Sequence, residues 1–158
     1  MDKVKKEYKA ICMLIIILIL IDQILKLVII KTGNISIIDG ILNFNITENT
    51  KGTYGVNNNS TIMYVLTNFV IIVIAYKFIT SQNQFVDKKT KIFLSLIIAG
   101  GISNCIDRIF RGYVVEFIQI MKLPIFNIAD LCILIGWVSM AAIFAIFTSK
   151  ELKERKKE

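Results

Sequence analysis

The chain has 158 residues, of which 55% are hydrophobic and 20% charged, and its 19 basic and 12 acidic residues give a net charge of +7. A soluble domain has about 45–50% apolar and about 25% charged residues, so this composition favours a membrane protein. The chain has no histidine. This excludes nucleophiles activated by histidine, an imidazole general base and most zinc sites, so any chemistry must use carboxylates, hydroxyls, thiols or amines.

The three cysteines do not form a recognisable framework. Cys12, Cys105 and Cys132 are odd in number, lie in apolar surroundings and lack CxxC spacing. This pattern argues against disulfides and a metal cluster, and it favours small buried residues in a core.

Four apolar stretches organise the chain, and each is long enough for a membrane helix of roughly 20 residues. They cover residues 10–30, 62–79, 92–109 and 125–147, the second and third being marginal in length. Residues 1–9 are basic, like the start of a secretory signal peptide, but no small-residue cleavage site follows. The first stretch is therefore predicted to be a retained membrane helix. Because bulky Ile11 precedes it, Cys12 is not expected to be a lipidation site.

The basic residues predict how the chain crosses the membrane. If both termini are cytoplasmic, the inner segments hold 13 of the 19 basic residues and all of the net charge of +7. The positive-inside rule then predicts four spans with both ends in the cytoplasm. Since topology explains the charge, no nucleic-acid partner is expected.

The segments outside the membrane differ from the inner ones. Residues 32–60 contain two short runs that alternate apolar and polar residues, with turn-forming residues at Gly33, Asp39–Gly40 and 57–59. This pattern predicts a small strand-rich cap on the outer face. Residues 111–124 are predicted to be a short excursion between the third and fourth spans. The expected fold is an all-α membrane protein with four transmembrane helices and a β-rich extracytoplasmic cap, in one domain covering residues 1–158.

Polar side chains crowd towards the outer ends of the apolar stretches. Ionisable groups inside a membrane cost at least ~2.5–3.5 kcal/mol each on insertion scales, so they indicate functional positions. The set consists of Asp22, Lys26, Asn104, Asp107, Arg108, Glu116, Asn127 and Asp130.

Most of this set also has a structural interpretation. Asp22 with Lys26, and Asp107 with Arg108, have the spacing of charge pairs that satisfy each other and orient helices. The two asparagines are most simply hydrogen-bonding residues between helices.

Glu116 and Asp130 differ from the others because neither has an obvious cationic partner nearby in the sequence. The short connection between the third and fourth stretches can bring them together at one membrane depth. Two close carboxylates do not both ionise easily, so they would share a proton. Aspartic proteases use this arrangement: one carboxylate takes a proton from water while the other hydrogen-bonds the scissile carbonyl.

Four blocks of sequence resemble the signal peptidase II family of bacterial lipoprotein signal peptidases. They are IDQ at 21–23 with Lys26, ENTKGTYG at 48–55, GGISNCIDR at 100–108 continuing to GYVVEF at 112–117, and FNIAD at 126–130. The last two blocks, in this order and spacing, are the specific part of the resemblance. It covers most of the chain and implies a four-span membrane aspartic peptidase.

The resemblance implies a role for each polar residue. Glu116 and Asp130 correspond to the two catalytic acids of the family. The residues implied to bind substrate are Asn49, Asn104, Arg108 and Asn127, and those implied to be structural are Asp22, Lys26 and Asp107.

The implied reaction removes the signal peptide from a diacylglyceryl-modified prolipoprotein, just before the lipidated cysteine. No cofactor and no metal are expected. The expected partners are the lipidated substrate and membrane lipid. The protein is expected to be a monomer in a bacterial cytoplasmic or inner membrane, with its active site towards the outer face.

Two positions depart from the family pattern. Glu116 replaces the usual aspartate, and Lys51-Gly52-Thr53 replaces Gly-Ala-Ala in the cap. The extra methylene of a glutamate moves its carboxyl by about an ångström, and misplacement of this size can cost ~10²-fold in rate. An alternative is therefore a catalytically impaired paralogue that binds lipidated peptides or a signal-peptidase inhibitor. Without the resemblance, a small proton-coupled carrier is a third hypothesis, which the lack of repeats and broken helices disfavours.

Overall fold

The computed structural model describes residues 2–50, 60–81 and 86–155. The elements within these residues are α1 (Asp2–Thr32), β1 (Ile35–Ile38), β2 (Leu42–Asn49), α2 (Ser60–Thr80), α3 (Lys88–Arg111), β3 (Val114–Ile120) and α4 (Ile128–Arg155). The first three predicted apolar stretches each lie within one helix, and the fourth overlaps α4, which begins three residues later than its stretch. The helices extend beyond the stretches by up to eight residues, as at the start of α1 and the end of α4. The mostly helical fold is therefore confirmed.

Three of the described helices are long and apolar enough to cross a membrane. They are α1 over Lys5–Thr32, α3 over Lys88–Arg111 and α4 over Ile128–Arg155. The apolar part of α2, Tyr64–Thr80, is shorter. At 1.5 Å per residue it covers about 25 Å, against a hydrocarbon layer of about 30 Å. The fourth span therefore stays a prediction.

Helix α3 is central because it packs against α1, α2 and α4. Small residues allow the closest of these contacts. A Cβ on Gly100 would collide with the backbone carbonyl of Ala129, and one on Gly136 would lie only 2.5 Å from Cγ1 of Ile97. Small residues thus let the second half of α3 lie directly against the start of α4.

The outward faces of the helices are apolar, as a lipid environment requires. Phe69, Phe110 and Phe144 are 62%, 80% and 71% exposed within the chain. Cys12 is also exposed, whereas Cys132 is buried and Cys105 is partly buried. The prediction of three buried cysteines is therefore wrong for Cys12, because its face of α1 is turned away from the other helices.

The cap is a three-stranded antiparallel sheet in the order β1-β2-β3. Strands β1 and β2 confirm the strand-rich character predicted for residues 32–60. The departure at Lys51-Gly52-Thr53 lies outside the described residues. Strand β3 corrects the interpretation of residues 111–124 as a simple excursion. Its sequence does not alternate cleanly between apolar and polar residues, and its partner β2 lies about 70 residues earlier in the chain, so local pattern does not reveal it.

A glycine turn directs the chain from α3 into β3. Gly112 adopts the left-handed conformation at φ +80°, and its N–H bonds to the Arg108 carbonyl, which ends the helix. Glycine adopts this conformation without the steric cost that a side chain brings. Strand β3 can therefore begin at Val114, close to the end of the helix.

At the other end of α3, Asp87 caps the helix. Its carboxylate accepts hydrogen bonds from the Thr90 backbone N–H at 2.8 Å and from the Thr90 hydroxyl at 2.7 Å. These bonds, the backbone one foremost, hold the pKa of Asp87 below its ordinary value. The carboxylate form is therefore favoured in the folded protein.

Replacing Asp87 by alanine should destabilise the protein by about 1 kcal/mol, because the first turn of α3 loses its cap. The stabilisation by Asp87 should be complete above the pKa of an unfolded aspartate and should disappear as pH falls through the lower folded-state pKa. Thermal denaturation in detergent at several pH values measures both effects. Asp87→Asn, which caps without titrating, should lose most of this pH dependence. Equal stability of the wild type and Asp87→Ala at neutral pH would contradict the prediction.

Candidate active site

The structure gathers the predicted site residues at one end of the helices, beside the sheet. Each residue comes from an element that packs against α3 or its continuation into β3. The members are Asp22 and Lys26 on α1, Asn49 on β2, Asn104, Asp107 and Arg108 on α3, Glu116 on β3, Asn127 just before α4 and Asp130 in its first turn.

Asp130 is fixed by the start of its own helix. Asn127 accepts a hydrogen bond from the Asp130 backbone N–H at 2.7 Å, and Asp130 accepts one from the Asn127 backbone N–H at 3.2 Å. This reciprocal pair is a capping box, which satisfies two backbone donors that the helix itself leaves unpaired. The same four-residue pattern that starts α4 thus orients the acid.

Two asparagines connect Asp130 to the other elements. Asn104 on α3 donates to Oδ1 of Asp130 at 2.8 Å. The side chain of Asn127, fully buried, donates to Oδ1 of Asn104 and to the Val115 carbonyl, both at 3.1 Å. The predicted interhelical hydrogen bonds are therefore present. They tie the outer part of α3 to the first turn of α4 and to β3.

Glu116 is presented by the sheet. It lies opposite Thr47 in the antiparallel pair of β2 and β3. Asn49, two residues further along β2, occupies the diagonal position, and its amide donates to Oε1 of Glu116 at 2.6 Å. Diagonal neighbours in such a pair are within reach of long side chains.

The surroundings of Glu116 favour its protonated form. Burial raises the pKa of Glu116 most strongly, the hydrogen bond from Asn49 opposes this effect, and the negative charge of Asp130 raises the pKa further. An effect of Asp130 on Glu116 of this kind is expected when two carboxyl groups face one site.

A buried group of three charges lies behind the two acids. Lys26 Nζ is 2.6 Å from Oδ2 of Asp22 and 2.7 Å from Oδ2 of Asp107. All three side chains are 1% exposed or less. The ion pair predicted from the spacing of Asp22 and Lys26 is therefore confirmed. Asp107 has a second cation, Arg111, at the edge of the group.

Arg108 does not pair with Asp107, and that prediction is wrong. Its guanidinium lies over the ring of Tyr64 on α2, 4.3 Å from the ring centroid. Adjacent helix residues point about 100° apart, so Asp107 faces α1 while Arg108 faces α2. Nη1 of Arg108 is buried and has no hydrogen-bond partner among the described residues. A buried donor without an acceptor is costly, so this nitrogen suits an oxygen of a bound molecule.

Four residues with contacts in the site were not predicted: Gln23, Tyr64, Ser103 and Arg111. Gln23 donates to the Ser103 hydroxyl at 3.0 Å and to Oδ1 of Asp107 at 3.0 Å, and Arg111 donates to Gln23 at 3.1 Å. The spacing of four residues between Asp107 and Arg111 was a visible signal for their pairing. Tyr64 gave no such signal, because only the packing of α2 against α3 brings it to Arg108.

Comparisons with known proteins agree on one family. The family model described as signal peptidase (SPase) II matches residues 14–147. A lipoprotein signal peptidase of Clostridium novyi (strain NT) is 34% identical over an alignment of length 148, which covers 87% of this chain and 98% of that protein.

Solved structures of bacterial membrane enzymes have a similar fold. A bacterial membrane enzyme determined by the in meso method at 2.3 Å superposes with a TM-score of 0.76, at 25% identity, over 95% of this chain and 93% of its own. A second, determined at 1.9 Å, superposes with a TM-score of 0.75, at 26% identity, over 86% of this chain and 92% of its own. The similarity therefore covers both the helices and the sheet.

Proposed function

The chain belongs to the signal peptidase II family of membrane proteases. We propose that Glu116 and Asp130 are the catalytic acids of an aspartic endopeptidase. The observation that carries the proposal is how the two acids are held. Asn49 donates to one oxygen of Glu116, Asn104 donates to one oxygen of Asp130, and the charge of Asp130 acts on Glu116. The arrangement therefore provides two oriented carboxyl groups that influence each other electrostatically.

The proposed reaction uses a water molecule between the acids. One carboxylate takes a proton from the water, and the water oxygen attacks the scissile carbonyl carbon. The other acid, protonated, donates its proton to the carbonyl oxygen, which gives a neutral tetrahedral intermediate. Collapse of this intermediate breaks the C–N bond. The leaving amine receives the proton first taken from water, and one hydroxyl of the intermediate returns its proton to the second acid as the new carboxyl group forms. No covalent intermediate and no metal take part.

The proposed substrate is a diacylglyceryl-modified prolipoprotein, cut just before its lipidated cysteine. Arg108 suits a contact with a backbone carbonyl of the peptide, because its buried Nη1 lacks an acceptor among the described residues. Asn49 and Asn104 are further proposed contacts with the substrate. The resemblance implied the same role for Asn127, but its side chain is fully buried and bonded to Asn104 and the Val115 carbonyl, so we propose that it supports the site instead. The lipid tails would remain in the bilayer, against the exposed apolar faces of the helices.

The proposed arrangement in the membrane follows from charge. Both termini are placed in the cytoplasm, with α2 as the fourth span and the sheet at the outer face, because most basic residues then lie inside. We further propose a single domain over residues 1–158, acting as a monomer in a bacterial cytoplasmic or inner membrane.

The impaired-paralogue alternative is not favoured. A similar protein at 34% identity is named a lipoprotein signal peptidase, and the match spans most of both chains. Glu116 also keeps a carboxyl group at the catalytic position.

Cleavage of a defined peptide tests the proposed function. The purified protein in lipid vesicles is incubated with a synthetic prolipoprotein peptide carrying a diacylglyceryl cysteine, and the products are identified by mass spectrometry. We expect a single cut immediately before the modified cysteine, and little cleavage of the same peptide without lipid. Intact lipidated peptide after incubation from acidic to neutral pH would reject the proposal.

Asn49→Ala should change the pH dependence of this cleavage. The lost hydrogen bond stabilised the carboxylate of Glu116, so the pKa of Glu116 should rise further above its ordinary value. Because Glu116 is the acid that its surroundings keep protonated, its ionisation sets the alkaline limb of the profile of kcat/KM against pH, and this limb should move to higher pH. At the optimum kcat/KM should fall about 10-fold, because hydrogen bonds to charged groups contribute ~1.5–3 kcal/mol.

The matched control for this prediction is Asn45→Ala. Asn45 also lies on β2 and donates across the sheet to β3, but its partner is Gln119 rather than an acid. The control should keep the wild-type profile. An alkaline limb that stays in place in Asn49→Ala would show that Asn49 does not act on the ionisation of Glu116.

A further inference from the structure

The mechanism gives no task to Lys26, a fully buried charge. Its side chain is 0% exposed, and it lies between the carboxylates of Asp22 and Asp107 at 2.6 and 2.7 Å. Burying an ammonium group costs several kcal/mol unless it is well paired. The other hydrogen bonds of these two carboxylates show which parts of the chain they position.

Each of the two aspartates holds the backbone beside one proposed catalytic acid. Oδ2 of Asp107 accepts a hydrogen bond from the Val115 backbone N–H at 3.1 Å, and Val115 precedes Glu116. Oδ1 of Asp22 accepts one from the Ala129 backbone N–H at 3.0 Å, and Ala129 precedes Asp130. The same contact therefore occurs twice, once for each acid.

Both backbone donors need a partner from outside their own element. Ala129 lies in the first turn of α4, where a helix leaves its N–H groups unpaired. Val115 lies opposite Glu48 of β2, but its N–H points towards α3 and donates to Asp107. Hydrogen bonds from such donors to carboxylates are stronger than those between neutral groups, because the acceptor is charged.

The two aspartates are also fixed from other directions. The Ser103 hydroxyl donates to Asp22 at 2.7 Å, and the Gln23 amide donates to Asp107 at 3.0 Å. Their orientation is therefore determined by several contacts, as precise placement of a neighbouring group requires.

We propose that Lys26 is a positioning residue for the reaction: with Asp22 and Asp107 it forms a buried ion bridge that sets the separation of Glu116 and Asp130. The bridge draws two carboxylates to one ammonium group, and each carboxylate holds the backbone one residue before an acid. A catalytic pair must be held within about 0.5 Å, and a displacement of about 1 Å can lower the rate ~10²-fold. This inference rests on the proposed function, since it assigns Glu116 and Asp130 the catalytic step.

The test uses a variant that removes the bridge without leaving an unpaired charge. Asp22→Asn/Lys26→Met removes one anion and one cation, and the asparagine keeps an oxygen for the Ala129 N–H. Replacing a buried ion pair by neutral residues of similar size is often neutral for stability. The matched control is Glu7→Gln/Lys91→Met, which removes a 3.0 Å ion pair between the same two helices at their other end.

Two measurements are made on each protein. In the vesicle cleavage assay, the bridge variant should lose about 10–100-fold in kcat with KM within about twofold of wild type, because substrate contacts remain while the acids are misplaced. Crystal structures should show the carboxyl groups of Glu116 and Asp130 displaced relative to each other by more than about 0.5 Å. The control should match wild type in both measurements.

The outcomes separate this inference from the proposed function. A folded bridge variant with wild-type kcat and an unchanged carboxyl separation overturns the positioning role while leaving the protease intact. A wild type that does not cleave rejects the proposed function, and the crystal structures still decide whether the bridge sets the separation.

A second variant covers the case in which the first does not fold. Lys26→Met/Asp107→Asn also cuts the bridge at its cation, but it spares the contact between Asp22 and the Ala129 N–H. If this variant folds, the same two measurements apply. If neither variant folds, the bridge supports only the fold, and the positioning role is overturned.

Discussion

Asp130→Asn is expected to lower kcat/KM for the lipidated peptide by at least about 10³-fold, which is the scale of losing one member of a catalytic set. An amide neither takes a proton from water nor donates one as an acid. The substitution should preserve the fold, because asparagine has the same shape and keeps an oxygen for the hydrogen bond from Asn104. Mass spectrometry of the cleavage products measures the loss, and thermal denaturation in detergent checks the fold.

Asp39→Asn provides the matched control. Asp39 lies in the turn between β1 and β2, where it accepts a hydrogen bond from Ser36 at 2.6 Å, away from the acids. This variant should keep activity within about twofold, as expected for a surface substitution. If Asp130→Asn retains a tenth or more of the wild-type kcat/KM, Asp130 is not a catalytic acid.

Glu116→Gln is expected to cause a loss of similar size. Glutamine keeps an oxygen for the hydrogen bond from Asn49, so the strand pair should remain intact while the ionisable group is lost. Combining it with Asp130→Asn should add little, because residues that act as one unit are not additive. The three proteins are compared in the same vesicle assay. A double variant whose loss equals the product of the two single losses would show that the acids act independently.

Glu116→Asp tests whether the site is adapted to glutamate. The shorter side chain withdraws the carboxyl by about an ångström from Asn49, whose present contact is 2.6 Å. We therefore expect about 10²-fold lower kcat, with KM nearly unchanged. An inactive wild type that Glu116→Asp converts into an active enzyme would instead support the impaired-paralogue alternative.

Several features of the fold could be predicted because they depend on local composition. A long apolar run forms a helix in a membrane whatever it packs against, because lipid offers no hydrogen-bond partners and the backbone N–H and C=O groups must bond to each other. The four apolar stretches therefore located the four helices, and the alternating residues of 32–60 located β1 and β2. The spacing of Asp22 and Lys26 predicted their ion pair, because residues four apart on one helix lie side by side.

Other features depend on which surfaces meet. Strand β3 exists because Val114–Ile120 pairs with a strand from a distant part of the chain. Arg108 lies on Tyr64 rather than beside Asp107, because one residue along a helix turns the side chain by about 100° towards another neighbour.

The sequence by itself determined that this is a helical membrane protein with a pattern typical of one family, because both can be read along the chain. It also showed two acids without an obvious cationic partner nearby in the sequence. Only the tertiary structure decided that one buried lysine joins the backbones beside both acids. That contact requires residues from α1, α3, β3 and α4 to meet at one point. The packing that brings them there depends on the close approach of α3 and α4 at Gly100. Which residues meet at this point depends on how the surfaces of the two helices fit together, and this cannot be read from the spacing of residues along the chain.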